Sequence, residues 1–469
     1  MVNIKLFYYS GWDKVLLYHE SQNNIENKIW EERPLKKVEN WINWHYIEIE
    51  LIRTHMEFVM TNDLKSEWDN PPRWENRKNY IIYADNNLQN MKICLKDGIL
   101  SIIEDTPPIV LITDLDGTLL GSDKYLEIFQ DFWIRQHAFK GSILIYSTGR
   151  NLKDFLKVSK EKSLIRPDYA ICGVGTEIYT FPGIPMKISD LTKSLKERIN
   201  DNELSNLNNF LKYQDEGLEI CNLSLDNENN TKYYKDLDII NSFPIWCPNR
   251  LYARPLESWF DIISCEFNHE LVKCNICNIL NLENIEYYIN GNKFHDPFRL
   301  SISICSDDII SIIDKIQINN KNYKYAISGI GKWRYLDILP LLGGKDNSVM
   351  FLYDKYIKNK ITIDKFLVCG DSGNDAHMFS IPNVKTCCVN NAQQDLKDYL
   401  VHGDNIKSDL VDTLDNAKVT SQGLLLIKIM EKQDIQPPSN VYVSTLSYAA
   451  GIGQALMYYG FNKNIPIFT

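Results

Sequence analysis

The hydrophobic pattern divides the chain into two kinds of sequence. Up to about residue 104, apolar and polar residues alternate with a period of two, as in the run from Ile47 to Leu51. This alternation is typical of half-buried strands, and no sustained helical period accompanies it. The pattern therefore predicts an antiparallel β-sandwich over residues 1–104.

From residue 105 onward, short apolar runs alternate with amphipathic stretches, such as the one from Lys124 to about Ala138. The apolar runs predict strands buried on both faces, and the stretches between them predict helices. Strand–helix alternation of this kind predicts a doubly wound parallel sheet. The predicted strands are 110–113, 141–146, 167–172, 366–369 and 384–389.

This alternation stops near Phe181 and returns at Gly343. The stretch between them mixes polar segments with short strands, which predicts a separate domain over residues 183–340 with an extra insertion at about 185–256. The sheet-forming parts on either side are 105–182 and 341–435. Residues 436–469 form a tail, in which Tyr448 to Tyr459 predicts one short helix.

Composition and charge narrow the class of protein. The 469 residues are 44% hydrophobic and 24% charged, which predicts a globular chain of several domains. A net charge of −10, from 51 basic and 61 acidic residues, argues against nucleic acid or a membrane surface as a partner. No apolar stretch is long enough to span a bilayer, and the start lacks a signal-peptide pattern, so we expect a cytoplasmic protein.

Candidate chemistry follows the predicted core strands. Two carboxylates and a glycine follow the first strand at 114–118, a Ser-Thr-Gly-Arg run follows the second at 147–150, and an acidic loop follows the fourth at 370–375. Because parallel strands present their carboxyl ends at one edge of a sheet, we expect these three groups to lie close together there. An isolated lysine, Lys345, comes between the Ser-Thr-Gly-Arg run and the acidic loop along the chain. Carboxylates at such an edge are costly unless a cation and a phosphoryl group pair with them.

This ordered set of four motifs resembles the haloacid dehalogenase superfamily of phosphohydrolases. The resemblance implies that Asp114 attacks phosphorus and forms an aspartyl-phosphate, while Asp116 acts as general acid and then general base. Thr148 and Lys345 would hold the phosphoryl oxygens. The implied cofactor is Mg²⁺, with its ligands drawn from Asp114, Asp116 through its carbonyl oxygen, Asp371 and Asp375.

Within the superfamily, the motifs resemble the sucrose-phosphate phosphatases, as in Tyr146–Arg150, Val174–Ile178 and Leu336–Pro340. That family implies a Rossmann-like hydrolase core, made of residues 105–182 and 341–435, with a mixed α/β cap inserted between its two parts. The implied substrate is a sugar phosphate, and the substrate-binding candidates are Gly149, Arg150, Arg299 and Asn374.

The predicted cap departs from that family at one run. The family carries a polar Glu-Gln-Arg-Pro-His-Lys sequence, whereas this chain has Phe294–Arg299, with Arg299 as the one clear basic residue kept. A site built to bond hydroxyls loses selectivity when those partners change. The sequence therefore leaves open which sugar is released.

The first hundred residues resemble a starch-binding carbohydrate-binding module of family 25 over residues 3–85. The resemblance lies in Tyr8–Trp12, Phe58–Asp63, Trp68–Asn70 and Asn79–Ile82. Flat aromatic faces can stack on sugar rings while neighbouring polar groups bond the hydroxyls. The candidate platforms are Tyr18, Trp30 and Trp68, with Asp69 and Asn70 as polar partners.

Together these features predict a Mg²⁺-dependent phosphatase that acts on a small sugar phosphate resembling sucrose 6-phosphate and is tethered to a starch-like glucan. Two alternatives stay open on the sequence. In the first, the protein is a starch-binding scaffold with a vestigial phosphatase core. In the second, the enzyme acts on phosphorylated glucan itself, since a tether raises the local concentration of its target.

Overall fold

The computed structural model describes residues 2–23, 29–38, 41, 43–72, 77–85, 89–181, 245–246, 252–265, 267–291, 296–319, 323–402, 419–438 and 441–463. Most of the insertion predicted at 185–256 lies outside these described residues. The chain divides into two compact units. The first comprises Met1–Pro107 and Asp131–Ser142, and the second comprises Pro108–Gln130 and Ile143–Thr469.

The described residues of the first unit form a β-sandwich of ten strands. They are β1 (Val2–Tyr9), β2 (Val15–Glu20), β3 (Trp30–Pro34), β4 (Lys36–Lys37), β5 (Trp44–Leu51), β6 (His55–Asn62), β7 (Trp68–Asp69), β8 (Tyr80–Tyr83), β9 (Asn90–Lys96) and β10 (Ile99–Ile103). One sheet has the order β10-β9-β1-β5-β4, and the other has the order β3-β2-β6-β7 with β8 paired to β6. Alternate side chains of both sheets, such as Leu6 and Phe58, are fully buried in one shared core.

The strand directions depart from the prediction at one place. The strands pair antiparallel except β1 with β9, which run parallel. Strand β9 follows β8, which belongs to the other sheet, so β9 does not enter beside β1 through a tight hairpin. A hairpin forces antiparallel pairing, whereas a crossover allows the parallel direction.

Where the structure describes it, the second unit is built on a sheet of nine strands. Its strands are β11 (Val110–Thr113), β12 (Ile143–Ser147), β13 (Tyr169–Cys172), β14 (Glu177–Thr180), β15 (Ile245–Trp246), β16 (Tyr252–Pro255), β21 (Phe366–Gly370), β22 (Lys385–Cys388) and β23 (Val441–Val443). Six of them are parallel, in the order β13-β12-β11-β21-β22-β23. The five predicted strands are present, and the sixth, β23, comes from the segment that the sequence assigned to a tail.

Helices connect these strands. They are α1 (Asp123–Gln136), α2 (Leu152–Glu161), α3 (Glu257–Ser264), α4 (His269–Leu282), α5 (Ile309–Asn319), α6 (Lys345–Leu352), α7 (Ala376–Phe379), α8 (Gln394–His402), α9 (Ser421–Lys432) and α10 (Tyr448–Tyr458). The predicted helix of the tail is α10, and most of its inward face is buried. Among the described residues, the helices are too short or too polar to cross a membrane.

The inserted cap contains an antiparallel sheet of four strands: β17 (Tyr287–Asn290), β18 (Leu300–Cys305), β19 (Tyr323–Ser328) and β20 (Trp333–Pro340). Their order is β17-β18-β20-β19. Strand β18 alternates buried apolar side chains with half-buried ones such as Ser301 and Ser303, as expected for a sheet covered on one face only. The predicted fold class is confirmed: an α/β core with an inserted mixed α/β cap, preceded by a β-sandwich.

Candidate active site

The first and fourth motifs lie side by side because β11 and β21 are neighbours in the sheet. The backbone N–H of Asp114 donates to the carbonyl of Cys369 at 3.0 Å. Gly117 has a φ of +83°, and a Cβ at this position would overlap the carboxylate of Asp371, so the turn requires glycine. The hydroxyl of Thr118 donates to Oδ1 of Asp371 at 2.9 Å and fixes that carboxylate beside the turn.

Lys345 joins these motifs through its ammonium group. Its side chain is fully buried, and Nζ lies 2.7 Å from Oδ1 of Asp114, 2.7 Å from Oδ1 of Asp375 and 3.1 Å from Oδ1 of Asn374. Burial alone would lower the pKa of Lys345, but the two carboxylates outweigh burial and raise it. The lysine therefore stays charged, and its three protons are matched by three oxygens.

Three carboxylates gather at this edge of the sheet. Asp114, Asp371 and Asp375 each offer an oxygen, and these oxygens lie within 4.8 Å of one another. Burial, with the neighbouring carboxylates, raises the pKa of Asp114 well above its usual value and that of Asp371 to about 7. One ammonium leaves an excess of negative charge among these groups. A hard divalent cation offsets that excess, so the donor set fits Mg²⁺.

Asp375 also shapes the loop that carries it. Its Oδ2 accepts the backbone N–H groups of Asp371 at 3.0 Å and Ser372 at 3.1 Å, while its Oδ1 binds Lys345. Both oxygens are thus used within the protein. This leaves Asp114 and Asp371 as the carboxylates better disposed to meet a metal ion.

Asp116 and Arg150 form a two-pronged ion pair at the more exposed side of the site. Nε of Arg150 lies 2.7 Å from Oδ2 of Asp116, and its second terminal nitrogen lies 2.8 Å from Oδ1. The buried hydroxyl of Thr148 accepts the backbone N–H of Arg150 at 3.1 Å. The structure thus brings the second motif onto the first, with the guanidinium on the predicted general acid.

Arg299 lies in a different setting from the substrate contact expected of it. One terminal nitrogen donates to the carbonyl of Gly149 at 2.6 Å and lies 3.9 Å from Oδ1 of Asp337. The other binds the carboxylate of Asp296. Glu177 is also close, and burial together with Asp296 raises its pKa to about 7. Arg299 therefore balances buried carboxylates and holds the loop of the second motif.

Several residues that build this site received no role from the sequence: Thr118, Glu177, Asp296, Asp337 and Asn391. Thr118, Glu177 and Asp337 lie within stretches that carry the family resemblance, and Asp337 also places a charge among the apolar residues of β20. The amide of Asn391 donates to the carbonyl of Gly117 at 2.6 Å and accepts the N–H of Tyr448 at 2.8 Å, so it ties the first motif to the start of α10.

In the first unit, the three predicted platforms form one aromatic cluster on the sheet of β2, β3, β6 and β7. The rings of Tyr18 and Trp30 are stacked at 5.2 Å, and Trp68 meets Tyr18 edge-on at 5.6 Å. Trp68 is 43% exposed. The carboxylate of Asp69 instead accepts the hydroxyls of Tyr8 and Tyr80, both at 2.8 Å, so it serves the core. Its neighbour Asn70 is exposed.

A parallel sheet with these four motifs at one edge and an inserted cap is the architecture of the haloacid dehalogenase superfamily. The sequence profile of the sucrose-6F-phosphate phosphohydrolase family matches residues 107–219 and 249–413, which is well over half of the chain. The chain belongs to this family.

Two curated relatives are similar to this chain over about 300 residues each. The probable sucrose-phosphatase 1 of Arabidopsis thaliana is 25% identical over 304 residues, which cover 62% of this chain and 53% of the relative. The mannosylfructose-phosphate phosphatase of Agrobacterium fabrum is 23% identical over 303 residues, which cover 64% of this chain and 89% of the relative. The chain thus spans about half the length of the Arabidopsis relative.

Among solved structures, the sucrose-phosphatase of Synechocystis sp., in complex with sucrose and phosphate, covers 75% of this chain and 98% of its own length. It is 18% identical, with a TM-score of 0.44. The haloacid dehalogenase-like protein yhjK of Bacillus subtilis is 13% identical, covers 76% of this chain and 94% of its own, and has a TM-score of 0.38.

Proposed function

We propose that the protein is a Mg²⁺-dependent phosphatase that hydrolyses a sugar phosphate through an aspartyl-phosphate. The observation that carries this proposal is the position of Lys345, whose ammonium contacts Asp114 and Asp375 at 2.7 Å each. A nucleophilic carboxylate held by a buried cation, beside a further carboxylate on Asp371, suits in-line attack on a phosphate dianion. A scaffold with an inactive core is not favoured, because an inactive core has no need for this buried set of charges.

The proposed reaction has two displacements at phosphorus. In the first, an oxygen of Asp114 forms a bond to phosphorus, the bond to the sugar oxygen breaks, and Asp116 gives that oxygen a proton. In the second, Asp116 takes a proton from water, the water oxygen bonds to phosphorus, and Asp114 is released. Inorganic phosphate leaves, and both carboxylates return to their starting state.

The neighbouring residues have roles that follow from their contacts. Asp114 and Asp371 would hold Mg²⁺, with Asp375 and the carbonyl of Asp116 as further candidates, and the ion supplies positive charge to the transferring phosphoryl group. Lys345 would exchange its longest contact, with Asn374 at 3.1 Å, for a phosphoryl oxygen. Asp116 serves as general acid once Arg150 releases it, so Arg150 can pass from Asp116 to the substrate.

Asp114→Asn tests this mechanism. The amide cannot form the acyl phosphate, so phosphate release from a panel of sugar phosphates with Mg²⁺ should fall to background. Asp123→Asn is a matched control, since Asp123 is exposed and its carboxylate pairs with Lys162 rather than with a residue of the four motifs. Mg²⁺-dependent phosphate release by the Asp114→Asn variant at a rate near that of the control would refute the mechanism.

We also propose that the first unit binds a starch-like glucan. Support comes from the cluster of Tyr18, Trp30 and Trp68, with the exposed Asn70 beside it as the polar partner. The faces of these rings match the C–H faces of glucose, and binding there would keep the phosphatase near glucan-derived substrates. Sedimentation with insoluble starch, with and without the Trp68 ring, tests this proposal.

A further inference from the structure

The sheet of the cap has one face that leads away from the candidate active site. Strand pairing sets Asn290 opposite Ser301, and Ser301 opposite Asp337. We call these three residues the inner row. Because alternate residues of a strand share a face, the residues two positions away on each strand continue the same face.

The inner row borders the catalytic motifs. Asp337 pairs with Arg299, and Arg299 donates to the carbonyl of Gly149 in the second motif. Ala326, which lies opposite Asp337 on β19, packs in a small cluster with Val174. A substrate whose phosphoryl group reaches Lys345 would therefore extend toward this face of the cap.

The next row outward is aromatic and exposed. It consists of Tyr288, Ser303 and Tyr335, which pair across β17, β18 and β20, and we call it the outer row. Tyr288 is 59% and Tyr335 47% exposed, and Trp333, two residues beyond Tyr335, is 38% exposed. The rings of Tyr288 and Trp333 meet at 5.6 Å across the intervening strand. At about 7 Å for every two residues of strand, the outer row and Trp333 lie about 7 and 13 Å beyond the inner row.

Polar groups connect the two rows. The amide of Asn290 donates to the hydroxyl of Ser303 at 2.9 Å, and both side chains are half-buried. The outer row itself holds two tyrosines and a serine, and the hydroxyl of Tyr288 donates to the exposed carboxylate of Glu286 at 2.9 Å. Such a surface suits a neutral ligand with hydroxyl groups on its edge and C–H groups on its faces. It suits an acidic peptide or a nucleotide chain less well, because both carry charge along their length.

We propose that this face of the cap binds the glucan chain that continues from the phosphorylated sugar, so that the substrate is a phosphorylated α-glucan oligosaccharide. The proposal rests on the proposed phosphatase function and names its substrate class. The half-buried Asn290 and Ser301 of the inner row receive the sugar nearest the phosphate, and the rings of Tyr288, Tyr335 and Trp333 stack on sugars further along. More than one sugar unit is needed to reach the outer row.

A kinetic comparison tests this assignment. In the full chain, kcat/KM is measured for glucose 6-phosphate and for maltotetraose phosphorylated at C6 of one terminal glucose. The wild-type protein should prefer the longer substrate. The double variant Trp333→Ala/Tyr335→Ala should lower the ratio of the two kcat/KM values about tenfold, mainly through KM. Tyr458→Ala is the control. Tyr458 belongs to the same unit and is 45% exposed, a fraction similar to the 47% of Tyr335, so its loss should leave the ratio of the two kcat/KM values unchanged.

A binding measurement separates this inference from the phosphatase function. Maltoheptaose is titrated by calorimetry into the full chain carrying Trp68→Ala, which weakens the candidate platform of the first unit. Adding Trp333→Ala/Tyr335→Ala should raise the remaining Kd about tenfold. If neither sugar phosphate is hydrolysed, the phosphatase proposal fails, and the titration still decides whether the face of the cap binds a glucan. If hydrolysis occurs but neither the ratio nor the Kd changes in the cap variant, the glucan-binding face is refuted.

Discussion

Single residues at this site accept unfavourable states that their neighbours enforce. Val174 has a φ of +57°, a left-handed conformation that is rare for a β-branched residue and costs about 1–3 kcal/mol. Its N–H donates to the carbonyl of Thr148 at 3.1 Å, and its side chain is buried against the cap residue Leu339. This hydrogen bond ties Val174 to the second motif, and the packing against Leu339 stabilises the strained conformation.

Glu177 stores a second unfavourable state, and this one depends on pH. Its pKa is raised from 4.5 to about 7 by burial and by Asp296, so the folded protein keeps a proton that the unfolded chain loses. Stability is then lost as pH rises from about 4.5 to 7. Glu177→Gln should remove this loss and raise the free energy of unfolding at pH 8 by at most about 3 kcal/mol.

Urea unfolding at several pH values between 5 and 8 gives the free energy of unfolding at each pH. The effect of Glu177 is measured as a change in the slope of this free energy against pH. The exposed Glu127→Gln is the control, and its pH dependence should match the wild type. An unaltered slope in the Glu177→Gln variant would show that the carboxyl is already ionised in the folded protein at pH 5.

At the scale of elements, strand β20 and the loop before β18 connect the cap to the second motif through one guanidinium. Arg299→Met should leave Asp296 and Asp337 without their cation. Breaking a buried ion pair from one side costs about 3–5 kcal/mol, and the freed loop at Gly149 should lower kcat as well. Thermal unfolding and steady-state kinetics measure the two effects.

A second substitution, at the partner carboxylate of Arg299, distinguishes the loss of the positive charge from the loss of packing as the cause of lower stability. Adding Asp337→Asn to Arg299→Met should recover part of the stability, because it removes one of the orphaned charges. Lys157→Met, at an exposed position of α2, controls for the change of a basic residue to methionine. If the double variant is less stable than Arg299→Met alone, the charges of the ion pair do not contribute to stability, and only the packing of its side chains does.

These elements also mark how far the sequence could predict the fold and the site. The five parallel strands were predictable because each is a continuous apolar run, and most end in a chemical motif, as in Val110–Thr113 before Asp114. The convergence of Lys345 on Asp114 was implied by the resemblance of the four ordered motifs to the haloacid dehalogenase superfamily. Strand β23 was not predictable, because three residues carry no period. The pairing of Asp116 with Arg150 depends on side-chain conformations that spacing does not encode.

At the scale of the whole molecule, the two units divide the proposed work between retention and chemistry. Binding of the first unit to an insoluble glucan would raise the local concentration of the second unit near phosphorylated chains. The benefit exists only on the insoluble substrate, since a small soluble sugar phosphate reaches the site by diffusion. The ratio of the activity on the insoluble glucan to the activity on a soluble sugar phosphate therefore measures the effect of tethering.

Trp68→Ala should abolish sedimentation of the protein with insoluble starch, because this ring is the most exposed of the three predicted platforms. The ratio of phosphate release from phosphorylated starch granules to that from soluble glucose 6-phosphate should fall at least about tenfold. Tyr83→Ala controls for loss of an exposed ring in the same unit, since Tyr83 is 58% exposed and lies on β8. If the Trp68→Ala variant sediments with starch as the wild type does, the aromatic cluster is not the glucan site.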